Sequence, residues 1–88
     1  MIPELEEIKR VLHFDWDPIG VSGIPEALDE YDSYAFRVFV MLNEGADAQA
    51  IAEYLDWVVT TRMELSAPGN SAEIAGRIMS IHAGHTRI

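Results

Sequence analysis

Apolar residues recur every three to four positions in four separate stretches of the chain, and each stretch predicts a helix. Leu5, Ile8, Val11 and Leu12 make one apolar stripe, which predicts a first helix over Pro3–His13. Pro3 suits a first turn, where its missing N–H has no intrahelical partner to lose. Glu4, Glu6 and Glu7 lie at the end of the helix where the dipole favours anions, and Lys9 and Arg10 lie toward the end that favours cations. The second helix is predicted to start between Pro25 and Asp32 and to end near Asn43, with a wide apolar face of Tyr31, Tyr34, Ala35, Val38, Phe39, Met41 and Leu42. Val38–Leu42 alone reads equally as a strand. Its helical neighbours and the Asn43-Glu44-Gly45 stop favour a helix end, with Gly45 as the left-handed cap.

Asp47 is the expected N-cap of a third helix, in which Ala48, Ile51, Ala52, Leu55, Val58, Val59 and Met63, or Arg62 beside it, follow the helical period. It ends before the breaker Ser66-Ala67-Pro68-Gly69-Asn70. A fourth helix opens at Asn70 or Ser71, where Asn70 followed three residues later by Glu73 resembles a capping box. Ile74, Ala75, Ile78, Met79 and His82 face inward, Gly84 is the expected stop, and His85 to Ile88 the frayed tail.

Between the first two helices, Phe14 to Ile24 reads as an ordered loop. Asp17-Pro18 breaks the first helix, because a residue before proline is pushed out of the α region. The apolar residues Phe14, Trp16, Ile19, Val21 and Ile24 predict that this loop packs back over one end of the core. The expected fold is therefore all-α, a compact four-helix domain built as a bundle or an orthogonal array, with residues 1–88 forming a single domain.

Size and charge narrow the functional classes. With 88 residues, the chain buries roughly 60–65% of its unfolded surface. That favours a surface or shallow groove over a deep pocket. Fifteen acids oppose six bases, a formal net charge of −9. Such a chain is repelled by nucleic acid and by anionic membranes, and attracted by a basic protein. The plainer reading of the acidity is solubility. There are no cysteines, which excludes disulfides, thiolate metal sites and a cysteine nucleophile. The acidic start Met1-Ile2-Pro3-Glu4-Leu5-Glu6-Glu7 lacks the pattern of a signal peptide, and no apolar run reaches the length of a membrane span; the expected location is cytoplasmic.

The most distinctive stretch is Trp16-Asp17-Pro18-Ile19-Gly20-Val21, followed by Pro25-Glu26-Ala27 and Asp29-Glu30-Tyr31-Asp32-Ser33-Tyr34. It resembles a family of small bacterial proteins, the YugE-like domain, in which a Trp-Asp-Pro element leads into a helix start rich in Asp, Glu and Tyr. The likeness covers the first half of the chain and, more weakly, Ile51-Ala52-Glu53-Tyr54-Leu55. It implies a helical fold and carries no catalytic residues with it.

Read for chemistry, Asp15, Asp17, Asp29, Glu30 and Asp32 are candidates to converge where the loop meets the second helix, and hard cations such as Mg²⁺ or Ca²⁺ prefer clustered carboxylates. The spacing is not that of an EF-hand. The competing reading is that these acids cap turns and helix starts or are simply solvated. His82 and His85 share a helical face but lack a third zinc ligand nearby, so an ordinary helix C-terminus is the simpler account; His13 reads similarly at the end of the first helix. None of the serines or histidines stands in a nucleophile elbow, a phosphate-binding loop or a metalloprotease motif, so the expectation is no enzyme, no catalytic residues and no cofactor. Tyr54 and Trp57 lie off the face made by Ile51, Leu55 and Val58. They are either a partly exposed binding hot spot or aromatics buried under the loop.

The leading functional expectation is a protein-binding module, within it an inhibitor that offers carboxylates to a basic, nucleic-acid-acting protein as immunity proteins and antitoxins do. Its expected contact residues are Asp15, Trp16, Asp17, Glu26, Asp29, Glu30, Tyr31 and Asp32, with Trp16 or Tyr31 as the apolar anchor. The alternatives are a self-associating accessory protein, in which a homodimer completes the core, and a small metal- or ligand-binding protein.

Overall fold

The computed structural model describes residues 2–17, 20, 31–65 and 69–86. Among them the chain forms four helices: α1 (Pro3–Arg10), α2 (Asp32–Asn43), α3 (Ala48–Trp57) and α4 (Ser71–Thr86). It is a small all-α four-helix domain, as the apolar periodicity predicts. Pro3 occupies the first turn of α1 as expected, after Ile2, whose carbonyl accepts the first helical bond from the Glu6 amide at 3.0 Å.

The first helix runs further than its sequence suggests. Beyond α1 the backbone widens into π-helical turns over Val11–Trp16, so Phe14, Asp15 and Trp16 are helical and not the start of a loop. The Asp17 amide donates to the Leu12 carbonyl, five residues back, at 2.9 Å. Asp17 then stops the helix in the left-handed region (φ 34°, ψ 58°), a conformation aspartate tolerates better than most residues. The wider turn delays the break until the residue directly before Pro18, the position that proline disfavours for helix. Most of the rest of the predicted lid, residues 18–19 and 21–24, lies outside the described residues, as do residues 25–30.

The other boundaries follow local chemistry. α2 starts at Asp32, the late end of the predicted range, and closes with the expected glycine cap. Gly45 adopts φ 92°, its amide donates to Leu42 at 3.1 Å, and the Ala46 amide donates to Met41 at 3.0 Å. These two bonds form the Schellman arrangement, which satisfies carbonyls the helix end leaves open. Asp47 caps α3, its side chain accepting from the Ala50 amide at 2.9 Å. α3 also continues into π-helical turns, Val58–Arg62.

Two expectations for α4 fail. Asn70 does not form a capping box, because its side-chain oxygen is buried without a hydrogen-bond partner. The adjacent Ser71 is instead buried, and its hydroxyl donates to the Asp56 carboxylate of α3. Nor does Gly84 end the helix, which continues to Thr86. Glycine permits a stop without imposing one, and the histidines on either side of Gly84 are held from across the molecule.

A single core unites the elements. Ile8 and Leu12 from the first helix meet Ala35, Val38 and Leu42 of α2, Ile51, Leu55, Val58 and Val59 of the third, and Ile74, Ala75 and Ile78 of α4. α4 packs against both α3 and α1, and α1 also packs against α2. Among the described residues no helix is long and apolar enough to cross a membrane.

Candidate interaction surface

The structure redistributes the acidic cluster expected between the loop and α2. Trp16 and Tyr31 are only 3% and 2% exposed and pack edge-to-face with ring centroids 5.3 Å apart. They are core residues and cannot anchor a partner, which corrects that expectation. The tyrosine hydroxyl donates to the Asp17 carboxylate at 2.9 Å, so this acid ties the helix stop to the start of α2. Asp32, next in the chain, lies 3.7 Å from the Lys9 ammonium. Glu6 and Asp32 both flank that ammonium, and the hydrogen bond to Glu6 is the main cause of its pKa being raised. Asp15 points the other way, toward Arg77 of α4 at 3.3 Å. The structure thus gathers Trp16, Asp17, Tyr31 and Asp32 and sets Asp15 apart. Glu26, Asp29 and Glu30 lie outside the described residues. No group of three or more histidines and acids among the described residues has the geometry to hold a metal ion.

The two C-terminal histidines have partners that sequence reading missed. His82 Nδ1 lies 2.8 Å from the Glu4 carboxylate, and His85 Nε2 lies 2.7 Å from that of Glu7. Glu4 is buried despite its charge, and His82 covers it. Each pair joins the first turns of α1 to the last turns of α4. The available signal was a matched spacing: two acids three apart near one end of the sequence and two histidines three apart near the other.

His13 also departs from its expected place. It does not end the helix but lies buried within the π-helical turns, packed edge-on against Phe14 at 4.6 Å. Neither ring nitrogen has a hydrogen-bond partner, and the neighbouring Trp16 Nε1 is likewise buried and unpartnered.

For Tyr54 and Trp57 the structure selects the exposed alternative. The rings stack at 6.2 Å with an interplanar angle of 23°, and Trp57 remains 48% exposed on the outer face of α3. Tyr54 is half-buried; burial is the main reason its phenol pKa lies above the usual range, Tyr34 adds to the shift, and Arg37 and Arg62 oppose it. Both arginines are exposed, and neither has an acidic partner within ion-pair distance among the described residues.

Comparison with protein-family models, with curated proteins and with solved structures yields no match to this chain.

Proposed function

We propose that this chain acts by binding a basic protein, as an acidic inhibitor of the immunity or antitoxin kind, and does no chemistry itself. The observation that carries the reading is the charge of −9 on 88 residues, together with how the cations are used. Lys9 sits between Glu6 and Asp32, and Arg77 between Asp15 and Glu73, so part of the small positive complement is already neutralised within the fold. The field that remains attracts cationic surfaces and speeds encounter with them.

Burial of Trp16 and Tyr31 moves the proposed contact away from those rings. It leaves the half-buried Asp32 and the acids that precede it in the chain, Glu26, Asp29 and Glu30, as the carboxylates proposed to meet a basic partner, with Asp15 a separate exposed carboxylate beside α4. A cytoplasmic setting and kinship with the YugE-like proteins belong to the same proposal.

The test is a pull-down with the tagged chain from its native cell at low and high salt, read by mass spectrometry. A basic nucleic-acid-acting protein held at low salt, released at high salt and lost from the Asp29→Lys/Glu30→Lys double variant is the expected result. Binding indifferent to both salt and charge reversal overturns it.

A further inference from the structure

The outer face of α3 joins an aromatic pair to side chains of both charges. Trp57, half exposed and stacked on Tyr54, supplies a rigid aromatic surface of the kind that dominates protein contacts. Glu53 stands one helical turn before Trp57, exposed and accepting from Gln49 of its own helix at 3.1 Å. Arg62 stands about one wide turn after it, at the end of the π-helical turns, exposed and without an acidic partner among the described residues. Arg37 adds a second exposed guanidinium, from α2, also without an acidic partner among the described residues. The face therefore has an acidic end, an aromatic centre and a basic end.

A patch ordered in this way is complementary to its own reverse. A two-fold axis sets the same surface of two copies against itself. Turning one copy end for end then brings the acidic end of each patch toward the basic end of the other, with the aromatic pairs meeting at the axis. A basic partner is disfavoured here, because it would meet Arg37 and Arg62. A second copy of this acidic chain supplies the carboxylates those arginines lack. We propose that the Tyr54–Trp57 face is a homodimer contact, in which α3 packs against α3 of a second copy running in the opposite direction, Glu53 of each facing Arg62 of the other. None of its residues is among those proposed for a basic partner, so either proposal stands or falls alone.

The test is analytical ultracentrifugation of the full chain over a concentration series. A monomer–dimer equilibrium is expected, weakened about tenfold or more by Trp57→Ala, in keeping with loss of a central aromatic anchor. Glu53→Arg and Arg62→Glu should each weaken the dimer, and the double variant should recover it. Because two copies of charge −9 repel, moderate salt should strengthen the dimer relative to low salt, the reverse of docking to a basic partner.

The unmodified chain offers a second measurement. Of its two tryptophans only Trp57 is exposed, so quenching of its fluorescence should fall as concentration rises. A chain that stays monomeric with concentration-independent quenching overturns the proposal. So does a dimer insensitive to Trp57→Ala and to both charge reversals.

Discussion

At the scale of single residues, the same side-chain type is put to different uses by its surroundings. His82 and Glu4 meet in a largely enclosed contact, and removing one partner leaves the other buried without a hydrogen bond, a cost of about 1–3 kcal/mol. His85 and Glu7 make a contact of similar length in more open surroundings, where such pairs contribute about 0–1 kcal/mol. His82→Ala is therefore expected to lower the melting temperature clearly more than His85→Ala, as read by circular dichroism. His13 presents the opposite case: two buried nitrogens already lack partners, so a side chain without them removes a penalty. His13→Leu is expected to stabilise by about 1 kcal/mol, raising the melting temperature by roughly 4–8 °C. A lower melting temperature would show that those nitrogens are satisfied in solution. Tyr54 and Lys9 both hold their protons more tightly folded than unfolded. Their contribution is complete below about pH 10, the ordinary range of both groups, and is lost as pH rises through the raised folded values. Alkaline melting curves should show this decline, and Tyr54→Phe should flatten it.

At the scale of helices, what was legible in the sequence was what neighbouring residues decide among themselves. Gly45 and Asp47 lie within a few residues of the groups they satisfy, so local chemistry alone located the end of α2 and the start of α3. Asp47→Ala should cost about 1 kcal/mol, and Gly45→Ala about 1–2 kcal/mol because a side chain is strained at φ 92°. Urea unfolding of the two variants checks both values. The π-helical turns were not legible, since a bond from Asp17 to Leu12 in place of the usual four-residue reach leaves no mark on apolar spacing. The candidate site was less legible than the fold, for the same reason. Trp16 and Tyr31 share the dual character of surface anchors and core aromatics, and only tertiary packing assigns them inward. Trp57 is assigned outward by the same packing. Asp56 shows the reach of the problem, for its partner Ser71 lies in another helix fifteen residues away.

At the scale of the whole molecule, one core serves every helix, and the radius of gyration of 12.3 Å is that of a chain of this length folded around a single centre. A domain so small has a stability of about 5–10 kcal/mol, which a single core truncation can largely consume. Leu55→Ala, at a fully buried site on α3, is expected to cost about 2–5 kcal/mol and to lower the urea midpoint accordingly. The contacts of Glu4 with His82 and of Glu7 with His85 span 78 residues each, so they form only where the fold brings the two distant helices together. In the folded protein these contacts make the two helix ends one cooperative unit. Fraying of the first turn of α1 breaks the enclosed contact of Glu4 with His82, so loss of order at one helix end is felt at the other. His82→Ala should therefore speed hydrogen exchange at the Glu6 amide, the first hydrogen-bonded amide of α1, as well as at the last amides of α4.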